Sequence, residues 1–188
     1  MASPKPLRQQ SAENLIWVDL EMTGLDPEND VILQAALVVT NASLEPLEEM
    51  MLDIWQPEPA LGRMVPYVRD MHEKNGLLDR VRASKVDLGA AEKKLLERVS
   101  GWCPYGAVLC GNSVGNDKAF IEHWMPALGG YLSYRVIDVS SLKLLARLWY
   151  GEDAVFVKPT DQEHDALFDI RQSIAELSHY RATLFKGR

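Results

Sequence analysis

The sequence has little cysteine and no long apolar run. Its two cysteines, Cys103 and Cys110, are too few for a disulfide framework and lack partners at metal-ligand spacing, so we expect ordinary buried thiols. No segment approaches the roughly 18 apolar residues of a membrane-spanning helix, and residues 1–13 lack the apolar core of a signal peptide. We therefore predict a cytoplasmic protein.

Positive charge is also in short supply. Lys and Arg total 20 against 27 for Asp and Glu, which leaves a formal charge of −7 over 188 residues. Binding a long polyanion requires a basic patch or stripe, so this balance argues against a general nucleic-acid-binding protein. The length and the 47% hydrophobic content indicate a globular domain, which we place at residues 14–188, after a loose segment at residues 1–13 that has little to bury.

The apolar spacing predicts three strands followed by alternating helices and strands. The predicted strands lie at residues 15–20, 31–40, 44–55, 107–110 and 136–139, and the clearest helices at 88–99, 114–126, 141–149 and 165–185. We expect Pro57, Pro59 and Pro66 to interrupt regular structure. This order predicts an α/β domain whose mixed central sheet is antiparallel at first, parallel later, and flanked by helices.

Two carboxylates stand at the end of the first predicted strand. Asp19 and Glu21 are two residues apart, so strand alternation places them on one face if the strand reaches Glu21. Two adjacent anions need a cation or a shared proton, and a hard divalent metal ion supplies that compensation. From spacing alone, a solvated strand end remains an equal alternative.

Three further residues can complete such a site. Asp117 comes early in the helix after Gly-Asn-Ser, and His164 precedes Asp169 by five residues. Five helical steps leave two side chains roughly 140° apart, so we expect His164 on a loop or cap, where it can act as a general base beside a fixed Asp169. Asp165 can compete with Asp169 as a ligand, but its position at the helix start favours an N-cap.

Together these residues resemble the DEDDh family of 3′→5′ exonucleases, and within it the oligoribonucleases. The resemblance rests on four blocks that occur in the family's order, at residues 17–25, 110–117, 134–140 and 164–171. It implies an RNase H-like fold and favours the metal interpretation of Asp19 and Glu21 over a solvated strand end.

The resemblance also implies a mechanism with two divalent ions, Mg²⁺ or Mn²⁺. Asp19, Glu21 and Asp169 would hold one ion, and Asp19 with Asp117 would serve the other. His164 would take the proton from the attacking water, and the product would be a nucleoside 5′-monophosphate released from the 3′ end.

Substrate contacts follow from the same resemblance. Leu25 corresponds to a residue that wedges against the bases, and Ser113, Arg135 and Ser140 correspond to a cap around the terminal 5′ phosphate. Tyr134 corresponds to a tyrosine that reaches the neighbouring active site across a dimer interface, which implies a homodimer. Without the resemblance, a buried structural tyrosine would be the simpler interpretation.

The sequence departs from the family pattern in two places. Tyr67 stands where the family has a base-covering tryptophan, although any aromatic face can stack on a base, and His72 takes the place of a phosphate-contacting histidine. The approach to His164, residues 158–163, lacks the usual short Gly/Thr-containing form.

We therefore predict an exoribonuclease for very short RNA, especially 5′-phosphorylated dinucleotides, and the charge of −7 suits a substrate with few phosphates. Three alternatives are a DEDDh exonuclease for longer RNA or DNA, an HD-type phosphohydrolase that uses His164 and Asp165, and a non-catalytic nucleic-acid-binding or interaction protein.

Overall fold

A five-stranded mixed sheet forms the centre of the protein, in the order β3-β2-β1-β4-β5. The computed structural model describes residues 10–158 and 165–185. β1 pairs antiparallel with β2 and β2 with β3, whereas β4 is parallel to both β1 and β5. The strands are β1 (Leu15–Met22), β2 (Ile32–Thr40), β3 (Pro46–Asp53), β4 (Ala107–Gly111) and β5 (Leu132–Asp138). The predicted change from antiparallel to parallel pairing is confirmed.

Helices cover both faces of this sheet, because the strands between them are apolar on both sides. α4 (Leu88–Trp102), α5 (Gly115–Trp124) and α6 (Pro126–Tyr131) cover one face, and α7 (Val139–Tyr150) and α8 (Ala166–Thr183) cover the other. Alternation along β1 divides its side chains between the two layers. Ile16 and Val18 pack beneath α4 and α5, whereas Trp17 packs beneath α7 and α8.

Three short helices follow β3 along the chain. They are α1 (Glu58–Leu61), α2 (Pro66–Lys74) and α3 (Leu77–Ala83), and their buried side chains form a small core with Val31 and Leu33. The prediction that prolines interrupt regular structure is confirmed for Pro57, which lies in extended backbone between β3 and α1. It is wrong for the other two, since Pro66 is the first residue of α2 and Pro59 the second of α1. Proline suits the first helical turn because its fixed φ is helical and the N–H it lacks has no partner there.

Several predicted boundaries move. β3 is shorter than residues 44–55, and β5 begins four residues before the predicted Val136. Pro126 does end the preceding helix, but it also starts α6, which the sequence reasoning missed. Cys103 and Cys110 are free and buried, as predicted.

The amino-terminal segment is held in place where the structure describes it. Gln10 Nε2 donates to Gly101 O and Ser11 N donates to Trp102 O, both at 3.0 Å, at the end of α4. The rest of the predicted loose segment, residues 1–9, lies outside the described residues. Across residues 10–158 and 165–185, no helix combines the length and apolar character needed to cross a membrane.

Candidate active site

The carboxyl ends of β1, β4 and β5 meet at one edge of the sheet, because these three strands run parallel. In such sheets this edge is where ligands bind. β1 continues to Met22, which confirms that the strand reaches Glu21 and that Asp19 and Glu21 share a face. By the same alternation this is the face of Trp17, which α8 covers.

Asp117 is bound to β1 from the opposite face of the sheet, which α5 covers. It is the third residue of α5, it is buried, and its Oδ1 accepts a hydrogen bond of 2.9 Å from Leu20 N. Leu20 lies between Asp19 and Glu21 in β1. The bond therefore holds the Asp117 carboxylate beside that pair.

Asp169 reaches the same region from the first turn of α8. Asp165 Oδ1 accepts a hydrogen bond of 2.9 Å from Phe168 N, so Asp165 caps this helix as predicted. His164, the predicted general base, lies outside the described residues.

The electrostatics show that the acidic residues act on one another. Burial raises the pKa of Asp19 well above its usual value, and the charges of Asp117, Glu21 and Asp169 raise it further. The pKa of Glu21 rises to about 8 through burial and then through the charges of Asp169 and Asp117. Such a field attracts cations.

Burial likewise raises the pKa of Asp117 to about 7, against the opposing effect of the hydrogen bond from Leu20 N. The side chains face a common region without forming a closed cage. Within the part of the chain that the structure describes, no three Asp, Glu, His or Cys side chains are grouped closely enough to hold an ion by themselves.

His72 lies behind this cluster. The ring, on α2, has no exposed surface; Nε2 is 3.0 Å from Met22 O, and Nδ1 is 3.9 Å from Glu21 Oε2. His72 thus links α2 to the end of β1 and faces Glu21. Its contact with substrate stays a prediction.

The residues predicted to contact bases lie on exposed surface near the same strand end. Leu25 follows β1 in a turn, and Tyr67 is the second residue of the helix that His72 holds against β1. Asp30 braces the turn by accepting hydrogen bonds from Thr23 Oγ1 and Asp26 N, at 2.9 and 3.0 Å. A side chain at Gly24 would collide with the Asp30 carboxylate, which explains the glycine before Leu25.

The structure brings Ser113 and Ser140 together. Asp138 Oδ1 accepts from Ser113 N at 3.0 Å and from Ser140 N at 2.9 Å, and the two serine hydroxyl oxygens are 3.2 Å apart. Ser113 takes a positive φ of 51°, an uncommon backbone conformation for serine. Arg135 is exposed on β5, with its guanidinium carbon 4.7 Å from the centre of the Tyr134 ring.

Sequence reasoning missed three residues that organise this site. Asp138 caps α7, and the signal for it was an aspartate two residues before Ser140 at a strand-to-helix junction. Asn112 and Glu176 are joined by a 3.1 Å hydrogen bond from Nδ2 to Oε2. Glu176 gave no signal, because helical glutamates are ordinarily exposed.

Comparison with known proteins identifies the family. The model of the exonuclease family RNase_T matches residues 16–177. An oligoribonuclease of Ectopseudomonas mendocina is 44% identical over 95% of this chain and 99% of its own length. Another, from Photorhabdus laumondii, is 46% identical over 92% of this chain and 96% of its own length.

Solved structures agree in fold. Exonuclease I of Methylocaldum szegediense superposes with a TM-score of 0.73 at 20% identity over 91% of this chain, and E. coli exonuclease I in complex with an oligonucleotide does so with 0.73 at 16% identity over 94%. This chain spans 41% and 42% of those two chains. The mixed sheet contradicts the predominantly helical HD phosphohydrolase alternative. The chain belongs to the RNase_T exonuclease family, among its oligoribonucleases, and is a hydrolytic 3′→5′ exoribonuclease.

Proposed function

We propose that the protein hydrolyses very short RNA, above all 5′-phosphorylated dinucleotides, to nucleoside 5′-monophosphates. The observation that carries this is the short distance between the paired serines and the carboxylates. Ser113 and Asp117 are four residues apart at the junction of β4 and α5, so at most roughly 14 Å separates their Cα atoms. A terminal phosphate at Ser113 and Ser140 would leave room for only a few nucleotides before the scissile bond. We also propose a cytoplasmic location.

The donor set fits hard divalent ions, which we propose to be Mg²⁺ or Mn²⁺. Asp19, Glu21 and Asp169 would hold one ion and Asp19 with Asp117 the other. Burial raises the pKa values of Asp19, Glu21 and Asp117, and the charges of neighbouring acids add to the increase at Asp19 and Glu21, a repulsion that cations would relieve. Mg²⁺ usually keeps several waters and takes few protein carboxylates, which suits an open arrangement. When bound, the two ions would supply Lewis-acid activation and charge neutralisation at the scissile phosphate.

The remaining roles in the proposed mechanism fall to side chains of this protein. His164 would accept the proton of the attacking water, next to a helix start that Asp165 fixes. The exposed Leu25 and Tyr67 would hold the bases, and Ser113, Ser140 and Arg135 would bind the terminal phosphate, where a guanidinium can bind in bidentate fashion. His72, whose ring is buried against the end of β1 and near Glu21, would hold Glu21 in position.

We further propose a homodimer in which Tyr134 reaches the partner's site. Tyr134 is 78% exposed on β5, which is an edge strand. It lies four residues, roughly 13 Å, before the end of that strand, where Asp138 holds the two serines of the proposed phosphate site. Leu148 and Trp149 on α7 are also exposed. Large exposed apolar side chains at a sheet edge are typical of protein interfaces.

Digestion of substrates of different length tests this function. The purified protein, with Mg²⁺ or Mn²⁺, is compared on a 5′-phosphorylated RNA dinucleotide, a 20-mer RNA and a 20-mer DNA, with the Asp19→Asn variant as the control for contaminating nuclease. We expect the dinucleotide to be hydrolysed fastest. Faster digestion of either 20-mer would instead indicate an exonuclease for longer nucleic acid, and no turnover with either ion would contradict the proposal.

A further inference from the structure

A fully buried carboxylate lies next to the site and has no part in the function proposed above. Glu176, on α8, has no exposed surface. Its Oε1 accepts a hydrogen bond of 3.0 Å from Tyr180 OH, and its Oε2 accepts one of 3.1 Å from Asn112 Nδ2. A buried charge is costly unless it is paired, and Glu176 has two further charged partners.

Those partners are two lysines, one on each oxygen. Lys143 Nζ is 3.8 Å from Oε1 and Lys158 Nζ is 3.6 Å from Oε2. The pair carries two positive charges against one negative charge, and the lysine side chains keep 35% and 27% of their surface exposed. Both distances exceed hydrogen-bond length, so the ammonium groups can direct their donors at another acceptor.

Lys143 lies beside the paired serines. It follows Ser140 by three residues in α7, and residues three apart are neighbours on a helix surface. A chain of contacts joins them as well, since Ser140 Oγ donates to Asn112 Oδ1 at 3.4 Å and Asn112 donates to Glu176. The ammonium group is therefore held near the paired serines.

We propose that Lys143 is an additional phosphate-binding residue, for the 5′-terminal phosphate, and that Glu176 is the positioning residue that aims it. This inference rests on the proposed function. It assigns to a buried carboxylate the placement of a cation beside the paired serines.

The test compares a 5′-phosphorylated with a 5′-hydroxyl RNA dinucleotide, in steady-state turnover with Mn²⁺. Lys143→Met should lower kcat/KM about tenfold on the phosphorylated substrate and leave the hydroxyl substrate unchanged, as expected for one lost charge-assisted hydrogen bond. Lys143→Arg should restore the preference. Lys94→Met, on the exposed surface of α4 across the sheet, is the matched control.

Glu176→Gln should show the same loss of preference for the phosphorylated substrate, and its circular dichroism and Tm separate this from loss of folding. An unchanged substrate ratio in Lys143→Met would overturn the assignment. Equilibrium binding of the same two dinucleotides, in an Asp169→Asn background, gives a readout independent of turnover. If the wild-type protein fails to cleave dinucleotides, the proposed function fails, and loss of phosphate-dependent binding in Lys143→Met still decides this inference.

Discussion

Asp165 and Asp169 have different surroundings although one helical turn separates them. Asp165 accepts a hydrogen bond from Phe168 N at the start of α8, whereas Asp169 acts electrostatically on both Asp19 and Glu21, and on Glu21 its effect is larger than that of Asp165. We expect Asp169→Asn to lower kcat on a dinucleotide at least about a hundredfold, since one charged ligand is lost. Asp165→Asn should retain most activity, because asparagine caps helices about as well as aspartate. Steady-state kinetics checks both, and the reverse order of effects would overturn the ligand assignment.

The raised pKa values of the acidic cluster predict how the metal-free protein responds to pH. The folded protein keeps protons on Glu21, with a pKa of about 8, and Asp117, with a pKa of about 7, at pH values where the unfolded chain has lost them. The stability that these two carboxyl groups contribute by keeping their protons is therefore fully present below about pH 4 and is lost as pH rises towards 8. With a chelator present, Tm should fall by at least about 5 °C between pH 5.5 and 8.5.

Two further measurements belong to that titration. Mg²⁺ should raise Tm more at pH 8 than at pH 5.5. At pH 5.5 the ion must displace protons from the carboxyl groups, whereas at pH 8 most of those protons are already gone. Glu21→Gln should flatten the metal-free profile, with Glu97→Gln on the exposed side of α4 as its control. A metal-free Tm that increases across this range would be contrary to the burial of these carboxylates.

At the scale of elements, the start of α7 has two functions, because the residue that caps this helix also positions the serines of the candidate phosphate site. Asp138 caps α7 through Ser140 N and holds Ser113 N with the same oxygen. Asp138→Ala should cost about 1 kcal/mol for the cap, with a drop in Tm of about 3 °C, and should remove the preference for a 5′ phosphate. Asp87→Ala removes the equivalent cap of α4 and should lower Tm alone. Equal effects of both variants on the substrate preference would contradict this dual function.

Local pattern explains which elements could be predicted. Alternation in β1 and the apolar stripe of α4 depend on neighbours within a few residues, so the strand, the helix and the pairing of Asp19 with Glu21 were all readable. Pro126 was ambiguous, since proline ends one helix and starts another equally well. The contact of Asn112 with Glu176 joins residues 64 positions apart, and no spacing rule relates them before the chain has folded.

At the scale of the whole molecule, the formal charge of −7 agrees with the candidate site. Asp117, Glu21 and Asp169 act electrostatically on Asp19 at the end of β1, while Arg135 on β5 and Lys143 on α7 supply positive charge near the paired serines. Two such cations suit a substrate with few phosphates better than a long polyanion. The distribution of charge thus favours a small substrate bound in a compact site.

Two inactive variants can test whether the site is shared between two protomers. Tyr134→Ala lacks the side chain that a partner would supply, and Asp169→Asn lacks a carboxylate of its own site. If Tyr134 acts across the interface, a mixed dimer has one complete site, so random exchange of equal amounts should restore about a quarter of the wild-type activity. If Tyr134 acts within its own chain, mixing restores nothing. Sedimentation of each variant checks that dimers form, and a monomeric wild-type protein would remove Tyr134 from the neighbouring site.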